Sequence, residues 1–167
     1  MKMCVSEIIK TVKKIEEETQ ELKRLRSENA TYSYVMNEVP IKPQHEFMEI
    51  SYTIYRNQKK IRYLRNLIAQ INSSTTVEHF NQTLGECIVH LGQTKQEISD
   101  LQRYINKQQK SRTTTYSGDV EYTELNYNSK DVELLFNQLK LLLSKLQIEI
   151  DRTNLNTYRE APEDICD

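Results

Sequence analysis

The chain has 167 residues and a formal net charge of -1, and its length is that of a single domain. It contains only three glycines and three prolines. These are too few for the frequent tight turns of β-sandwiches, barrels and doubly wound sheets. With 28% charged residues and a mean hydropathy of -0.72, the chain is polar without having the composition of a disordered protein. The composition favours an all-α fold of long helices with few connections.

Two N-terminal segments place apolar residues at alternating spacings of three and four, which predicts one buried face on each of two helices. The first helix is predicted at about residues 3–29 and the second at about 45–72. Residues 29–45 hold two of the three prolines and predict a long connection, with an extended piece around Tyr32 to Met36. The register residues of the first helix are Val5, Ile8, Val12, Ile15, Thr19 and Leu22; those of the second are Phe47, Ile50, Ile54, Asn57, Ile61, Leu64, Ile68 and Ile71.

Two further helices follow a short polar turn at residues 72–76. The third is predicted from Val77 because register positions continue from there to Ile105. Gly85 and Gly92 lie on one side of it, where the missing side chains would let another helix or loop approach closely. The fourth helix is predicted at about residues 129–156, with a stripe broad enough to touch two neighbours. Its members are Val132, Leu135, Phe136, Leu139, Leu142, Leu143, Leu146 and Ile150.

The segment between the third and fourth helices, residues 111–128, is rich in threonine and tyrosine. Thr113–Tyr116 and Val120–Thr123 flank Gly118 and predict a small β-hairpin. We expect one domain over residues 1–158, a helical bundle of two antiparallel coiled-coil-like hairpins with this small lobe. Residues 159–167 are predicted to form an acidic flexible tail.

The cysteines and the hydropathy pattern bear on location. Cys4, Cys87 and Cys166 are odd in number and far apart, so they indicate neither a disulfide framework nor a zinc knuckle. No run of 18 apolar residues occurs, and a charge interrupts the N-terminal residues before a signal sequence could form. We therefore expect a cytoplasmic protein that does not span a membrane.

The sequence offers little for catalysis. Three isolated glycines cannot form a phosphate-binding loop. His45, His79 and His90 lack the spacing of a metal site, and Cys87 falls on a core register position, where a thiol behaves as a small hydrophobic group. We expect no enzyme, cofactor or metal, although a catalytic site in the lobe at 111–128 or at an oligomer interface stays open as an alternative.

The strongest functional candidate is the outer face of the second helix. If Ile54 and Ile61 are core positions, the opposite side of the helix carries a basic strip interleaved with aromatic rings. We label the second predicted helix, at about residues 45–72, α2 and call this surface the α2 strip: Tyr52, Tyr55, Arg56, Lys59, Arg62 and Tyr63. Tyrosine and arginine are favoured at protein interfaces, so we interpret the strip as a contact surface of a homo-oligomeric protein-interaction module. Two alternatives stay open: a solvated face, and a site that neutralises phosphates and stacks bases of a nucleic acid.

The order of segments resembles the septicolysin-like family of small bacterial helical proteins over about residues 1–158. The matching pieces are Met1-Lys2 with the helix after it, Ile71-Asn72 with its Ser/Thr run, Ser111-Arg112, and Ile150 with Asn154-Leu155. Family members usually carry an aromatic residue where this chain has Leu155, and a shorter loop than residues 112–128. The resemblance implies a helical fold and a cytoplasmic setting, and it supplies no site residues and no activity.

Overall fold

A computed structural model describes residues 1–41, 46–105 and 107–162 of the chain. Within these residues the protein is mostly helical, which confirms the helical prediction. The helices are α1 (Val5–Glu28), α2 (Phe47–Ser74), α3 (Leu84–Ile105) and α4 (Ser129–Asn156). Short antiparallel strand pairs add to them: β1 (Lys2–Cys4) pairs with β6 (Tyr158–Glu160), β2 (Thr76–Val77) with β3 (Gln82–Thr83), and β4 (Lys110–Thr114) with β5 (Val120–Glu124).

The chain divides into two compact units. The first contains Met1–Thr75 and the residues from Thr153 onward, and the second contains Thr76–Arg152. The single domain expected over residues 1–158 stays a prediction.

The first unit is built on the pairing of α1 with α2. Five of the six α1 register residues are buried, from Val5 to Thr19, as the spacing predicted. On α2 the buried residues are Ile50, Ile54, Leu64 and Ile71. Arg65 forms an ion pair with Glu16. At the other end of the hairpin, Arg26 donates to Ser51 Oγ at 3.3 Å, so the two helices run antiparallel.

The predicted flexible tail is wrong for residues 159–161. Strand β6 pairs with β1 in the register Lys2 to Glu160 and Cys4 to Tyr158. The Ala161 N–H donates to the Met1 carbonyl at 2.8 Å, and the Ala161 side chain is buried. The backbone groups of this segment are therefore satisfied by a strand more than 150 residues away in sequence, which local composition does not reveal. Residues 163–167 lie outside the described part of the chain.

In the second unit, α3 begins at Leu84 rather than at the predicted Val77. Residues 76–83 instead form β2, a 3-10 turn over Glu78–Phe80, and β3. Asn81 adopts a left-handed backbone with φ of 49°, which interrupts a helix. A reciprocal cap then starts α3: Glu86 N donates to Thr83 Oγ1 at 3.2 Å, and Thr83 N donates to Glu86 Oε2 at 2.7 Å.

Strands β4 and β5 connect α3 to α4. They pair from Lys110–Glu124 to Thr114–Val120 around a five-residue loop in which Gly118 has a φ of 88°. Tyr127 donates to the Tyr104 carbonyl at 3.2 Å, which brings the end of α3 beside the start of α4. Helix α4 has the limits that the sequence predicted, although Leu135 of its predicted stripe is exposed.

The connection between α1 and α2 contains no strand in its described residues 29–41, so the extended piece expected around Tyr32–Met36 is not a strand. It contains a turn in which Glu38 N donates to the Val35 carbonyl at 3.0 Å. Asn37 has a φ of 82° at the third position of that turn, a conformation that asparagine tolerates. Pro43 and His45 lie outside the described residues.

Candidate interaction surface

The α2 strip lies on the exposed side of α2. All six of its members are exposed, and the tyrosines retain 62% of their accessible surface at Tyr52 and Tyr55 and 44% at Tyr63. The spacing explains this placement, because residues three, four and seven apart share one face of a helix. The opposite face holds Ile54 and Leu64, which are buried against α1 within the first unit.

The charge environment of the strip differs from that of α1. On α1, lysines and arginines pair with carboxylates one turn away, as in Lys13 with Glu17 and Lys14 with Glu18. Residues 50–77 contain no aspartate or glutamate, so no carboxylate of this stretch neutralises the strip. Arg56 donates instead to Thr53 Oγ1 at 3.2 Å. No ion pair joins Arg56, Lys59 or Arg62 to a carboxylate of the described residues, so this part of the structure leaves cations between aromatic rings, which suits an acidic partner surface.

A shallow cavity of about 470 Å³ adjoins the end of the strip. Its lining comes from Tyr63 and from the paired chain segments around β1 and β6: Met1, Glu160, Ala161 and Pro162. Glu160 places a carboxylate in the same lining as the Tyr63 ring. None of these side chains is a thiol or an imidazole, so the described lining of the cavity offers no nucleophile of those types.

Cys87 behaves as a core residue. Its side chain is fully buried, and this burial raises the pKa of its thiol. The negative charge of Glu86 raises the pKa further, by a smaller amount. Gln82 Oε1 lies 3.8 Å from the Cys87 sulfur and 3.4 Å from His90 Nδ1. A neutral buried thiol is a poor nucleophile, because the thiolate is the reactive form.

The other sequence candidates for metal binding are not brought together. His79 Nδ1 lies 3.2 Å from Glu149 Oε2, an ion pair when the imidazole is protonated. Among the described residues, no cluster of three or more His, Cys, Asp or Glu side chains has a geometry that could hold a metal ion. His45 and Cys166 lie outside those residues.

The lobe between α3 and α4 is exposed. Tyr122 and Val120 retain 56% and 43% of their surface, and Lys110 lies over the Tyr122 ring at 4.7 Å. In its loop, Ser117 donates to Asp119 Oδ2 at 2.7 Å and lies 2.8 Å from Thr115 Oγ1. These bonds fix the turn, and no histidine stands in them to activate the hydroxyl.

The expectation for Gly92 is wrong within the described residues. A side-chain carbon added there would meet nothing within 4 Å, so no part of the chain that the structure describes uses the missing side chain for close approach. The glycine spacing alone could not distinguish an intramolecular contact from an open surface.

Sequence reasoning missed a second apolar face on α4. We call it the α4 ridge: Leu134, Leu141 and Ile148, which retain 63%, 66% and 58% of their surface. Leu143 of the predicted stripe is nine residues from Leu134. At about 100° per residue, this spacing places the two side chains on opposite sides of the helix. The signal was present in the sequence as an aliphatic residue at every seventh position.

Comparison with known proteins shows the fold alone. Neither the protein-family models nor the curated proteins contain a match to this chain. A crystal structure of a functionally unknown conserved protein from Corynebacterium diphtheriae matches with a TM-score of 0.71 and 18% sequence identity, covering 96% of this chain and 100% of that one. Across the described residues, each helix is too short or too polar to cross a lipid bilayer. The chain therefore shares its fold with a protein whose function is unknown.

Proposed function

We propose that this protein is a non-enzymatic helical interaction module that self-associates, with the α2 strip as one of its contact surfaces. The observation that carries the proposal is the exposure of six aromatic and basic side chains on one helix face with no acidic residue between positions 50 and 77. A solvated helix face normally intersperses both signs of charge, as α1 does.

The partner that suits this strip is an acidic protein surface, and another copy of the chain carries one. Residues 119–167 contain eleven acidic and five basic residues, a net charge of -6. Steering by opposite charges would bring the strip of one copy to this segment of another. Such a contact weakens as salt rises, since exposed charges are screened.

The arrangement of the helices, the cellular location and the family of the chain belong to the same proposal. We propose that the helices form a bundle of two coiled-coil-like hairpins, and that the chain is a cytoplasmic member of the septicolysin-like family. The free, buried thiols of Cys4 and Cys87 support a reducing compartment. The raised pKa and full burial of Cys87 argue against catalysis by that thiol.

The test is charge reversal of the strip. The triple variant Arg56→Glu, Lys59→Glu, Arg62→Glu is compared with a control of equal charge change on exposed lysines of α1 and α3, Lys10→Glu, Lys23→Glu, Lys95→Glu. Light scattering in line with size exclusion, at low and high salt, reports the mass of each. We expect the strip variant to lose the salt-sensitive part of the assembly and the control to keep it.

Nucleic-acid binding is the second candidate, favoured by the alternation of Tyr with Arg and Lys. Fluorescence anisotropy of a labelled single-stranded oligonucleotide separates it from the first. Salt-sensitive binding that the strip variant loses, with an unchanged mass, would replace the proposal by this alternative. If neither mass nor binding changes, the strip is a solvated face and the proposal is wrong.

A further inference from the structure

We propose that the α2 strip of one copy binds one face of the β4–β5 hairpin of a second copy. The inference rests on the self-association proposed above, and it names the part of the acidic segment that the strip contacts. We call this surface the hairpin acidic face: Ser111, Thr113, Asp119, Glu121 and Thr123.

The strand register places the bases and the acids of this face on different sides of the hairpin. Residues that pair across two antiparallel strands lie on one face, and the next pair along lies on the other. Lys110 and Arg112, the bases of the two strands, are two residues apart and therefore share a face. Glu121 pairs with Thr113, which is an odd number of residues from both bases, so Glu121 lies on the opposite face.

Asp119 extends the acidic face at its loop end. The Asp119 carbonyl accepts from Thr115 N at 2.9 Å, which continues the alternation of faces by one pair beyond the strands. Asp119 and Glu121 are thus two residues apart, about 7 Å in an extended chain. The Asp119 carboxylate accepts from the Ser117 hydroxyl at 2.7 Å, and the Glu121 carboxylate has no ion pair with a described residue. Both side chains are exposed, so the face presents two negative charges to solvent.

The other described carboxylates of residues 119–162 each have a positive group beside them. Glu124 pairs with Lys110, and Glu149 pairs with Arg152. The rest are Asp131 in the first turn of α4, Glu133 one turn from Lys130, Asp151 next to Arg152, and Glu160 opposite Lys2 of β1. The hairpin acidic face therefore carries the negative charges that no described base neutralises.

The hairpin also lacks a covering layer among the described residues. Of the ten residues in β4 and β5, nine are exposed and one is half-buried. A lone pair of strands is marginally stable in water, and packing against a helix is one way in which it becomes stable. A helix face from a second copy, laid on the hairpin, supplies that layer.

The α2 strip matches this face in length and in chemistry. From Tyr52 to Tyr63 the strip extends about 16 Å along its helix, and a five-residue strand extends about 17 Å. Along the helix axis, Arg56 is about 4.5 Å from Lys59 and about 9 Å from Arg62, so these long side chains can reach both carboxylates. The tyrosine rings then lie over the threonine methyl groups, and aromatic and β-branched side chains pack favourably together.

The first experiment measures the mass of the full chain at low salt by sedimentation equilibrium. Hairpin reversal, Asp119→Lys with Glu121→Lys, sets like charges against the strip, so the Kd of self-association should rise by about tenfold or more. The control is Glu133→Lys with Asp151→Lys, an equal change of charge in the same acidic segment away from the hairpin. Circular dichroism checks that each variant keeps its helices.

A mixture of two variants tests the pairing of the two surfaces. Hairpin-reversed chains keep a basic strip, and the triple variant Arg56→Glu, Lys59→Glu, Arg62→Glu keeps an acidic hairpin face. Each variant alone sets like charges together, whereas the mixture sets opposite charges together. We expect an equimolar mixture at low salt to regain the mass of the native assembly. A misfolded hairpin could not restore that mass, so the mixture distinguishes lost pairing from lost folding.

Zero-length cross-linking tests whether the contact joins two copies. A carbodiimide couples the Lys59 amine to the Glu121 carboxylate only when the two groups touch. In a mixture of unlabelled and isotope-labelled chains, contact between copies predicts cross-linked peptides that carry both labels. Cross-links between these residues within one label alone would overturn the inference, because they would place the contact inside a single chain.

The outcomes separate this inference from the proposed function. Loss of assembly on hairpin reversal, with an unchanged control and recovery in the mixture, supports the hairpin as the partner of the strip. An assembly that strip reversal abolishes and hairpin reversal leaves intact keeps the proposed function and overturns this inference, as does a mixture that does not assemble. A mass of one chain at all concentrations, or an assembly that strip reversal leaves intact, overturns both.

Discussion

Helices α1 and α4 use their apolar residues in different ways. In α1, the register residues from Val5 to Thr19 are buried within one unit, and the outer face carries paired charges. In α4, only Leu146 and Ile150 are buried, while the α4 ridge stays open to solvent. The difference separates apolar residues that stabilise the fold from apolar residues that the described part of the chain leaves uncovered.

The largest expected effect contrasts a core leucine with a ridge leucine. Leu64→Ala removes a fully buried side chain and should lower the free energy of unfolding by about 3 kcal/mol, through lost burial and the cavity left behind. Leu141→Ala truncates a side chain that is 66% exposed and should cost the single chain less than about 0.5 kcal/mol. Urea unfolding at low protein concentration measures both, and equal losses would contradict the division between core and ridge.

A smaller effect is expected at the start of α3. Thr83→Ala removes the hydroxyl that accepts the Glu86 N–H and should cost about 1 kcal/mol. Hydrogen exchange of the first-turn amides of α3 reports this loss locally. Thr11→Ala is the control, because that hydroxyl donates to the Glu7 carbonyl inside α1 and caps no helix end. Unchanged exchange at α3 would show that the cap contributes nothing to its start.

Two glycines should respond to alanine in opposite directions. A side-chain carbon at either Gly92 or Gly118 would meet open space, but only Gly118 has a positive φ, of 88°. Gly118→Ala should destabilise the β4–β5 hairpin by about 1 kcal/mol, whereas Gly92→Ala should stabilise α3 by about 0.5 to 1 kcal/mol. Amide exchange in the hairpin and thermal unfolding of the chain measure these changes. A loss of stability in Gly92→Ala would indicate that another chain packs against that position.

The smallest expected effect is a pH dependence at Glu86. Hydrogen bonds from the Thr83 backbone and hydroxyl hold the pKa of this carboxyl below its usual value. The stabilisation is therefore present above the unfolded-state pKa, near 4.3, and is lost as pH falls through the lower folded-state pKa. Glu86→Gln should remove this part of the acid sensitivity, which unfolding midpoints between about pH 3 and pH 7 measure. Identical pH profiles for the two proteins would contradict it.

Periodicity in the sequence predicted the parts of the fold that depend on one helix face. The buried register of α1 and the limits of α4 follow from spacing alone, and so does the exposure of the α2 strip. Periodicity does not reveal contacts between residues that are far apart in sequence. The prediction of a flexible tail was wrong at residues 159–161 for this reason. Strand β6 pairs with β1 across almost the whole chain, and nothing near Tyr158 indicates this.

At two other places, the start of α3 and the exposed face of α4, the structure differs from the prediction although the sequence carries a second signal beside helical periodicity. The apolar register runs through Val77 and Phe80, but the cap at Thr83 and Glu86 starts α3 later and the left-handed Asn81 separates the segments. A threonine followed three residues later by glutamate predicts this start. On α4, the broad stripe masked the seven-residue spacing of the ridge, because counting apolar residues does not show which ones the chain itself covers.

The most direct test of the account is the mass of the native chain across a wide range of concentrations, by light scattering in line with size exclusion at low and at high salt. Salt screens the exposed charges of the α2 strip, so an assembly through the strip weakens as salt rises. At low salt we predict a mass that rises above 19.8 kDa as concentration increases, and that stays near 19.8 kDa for the triple variant Arg56→Glu, Lys59→Glu, Arg62→Glu. A native mass of one chain at every concentration would contradict the proposed self-association.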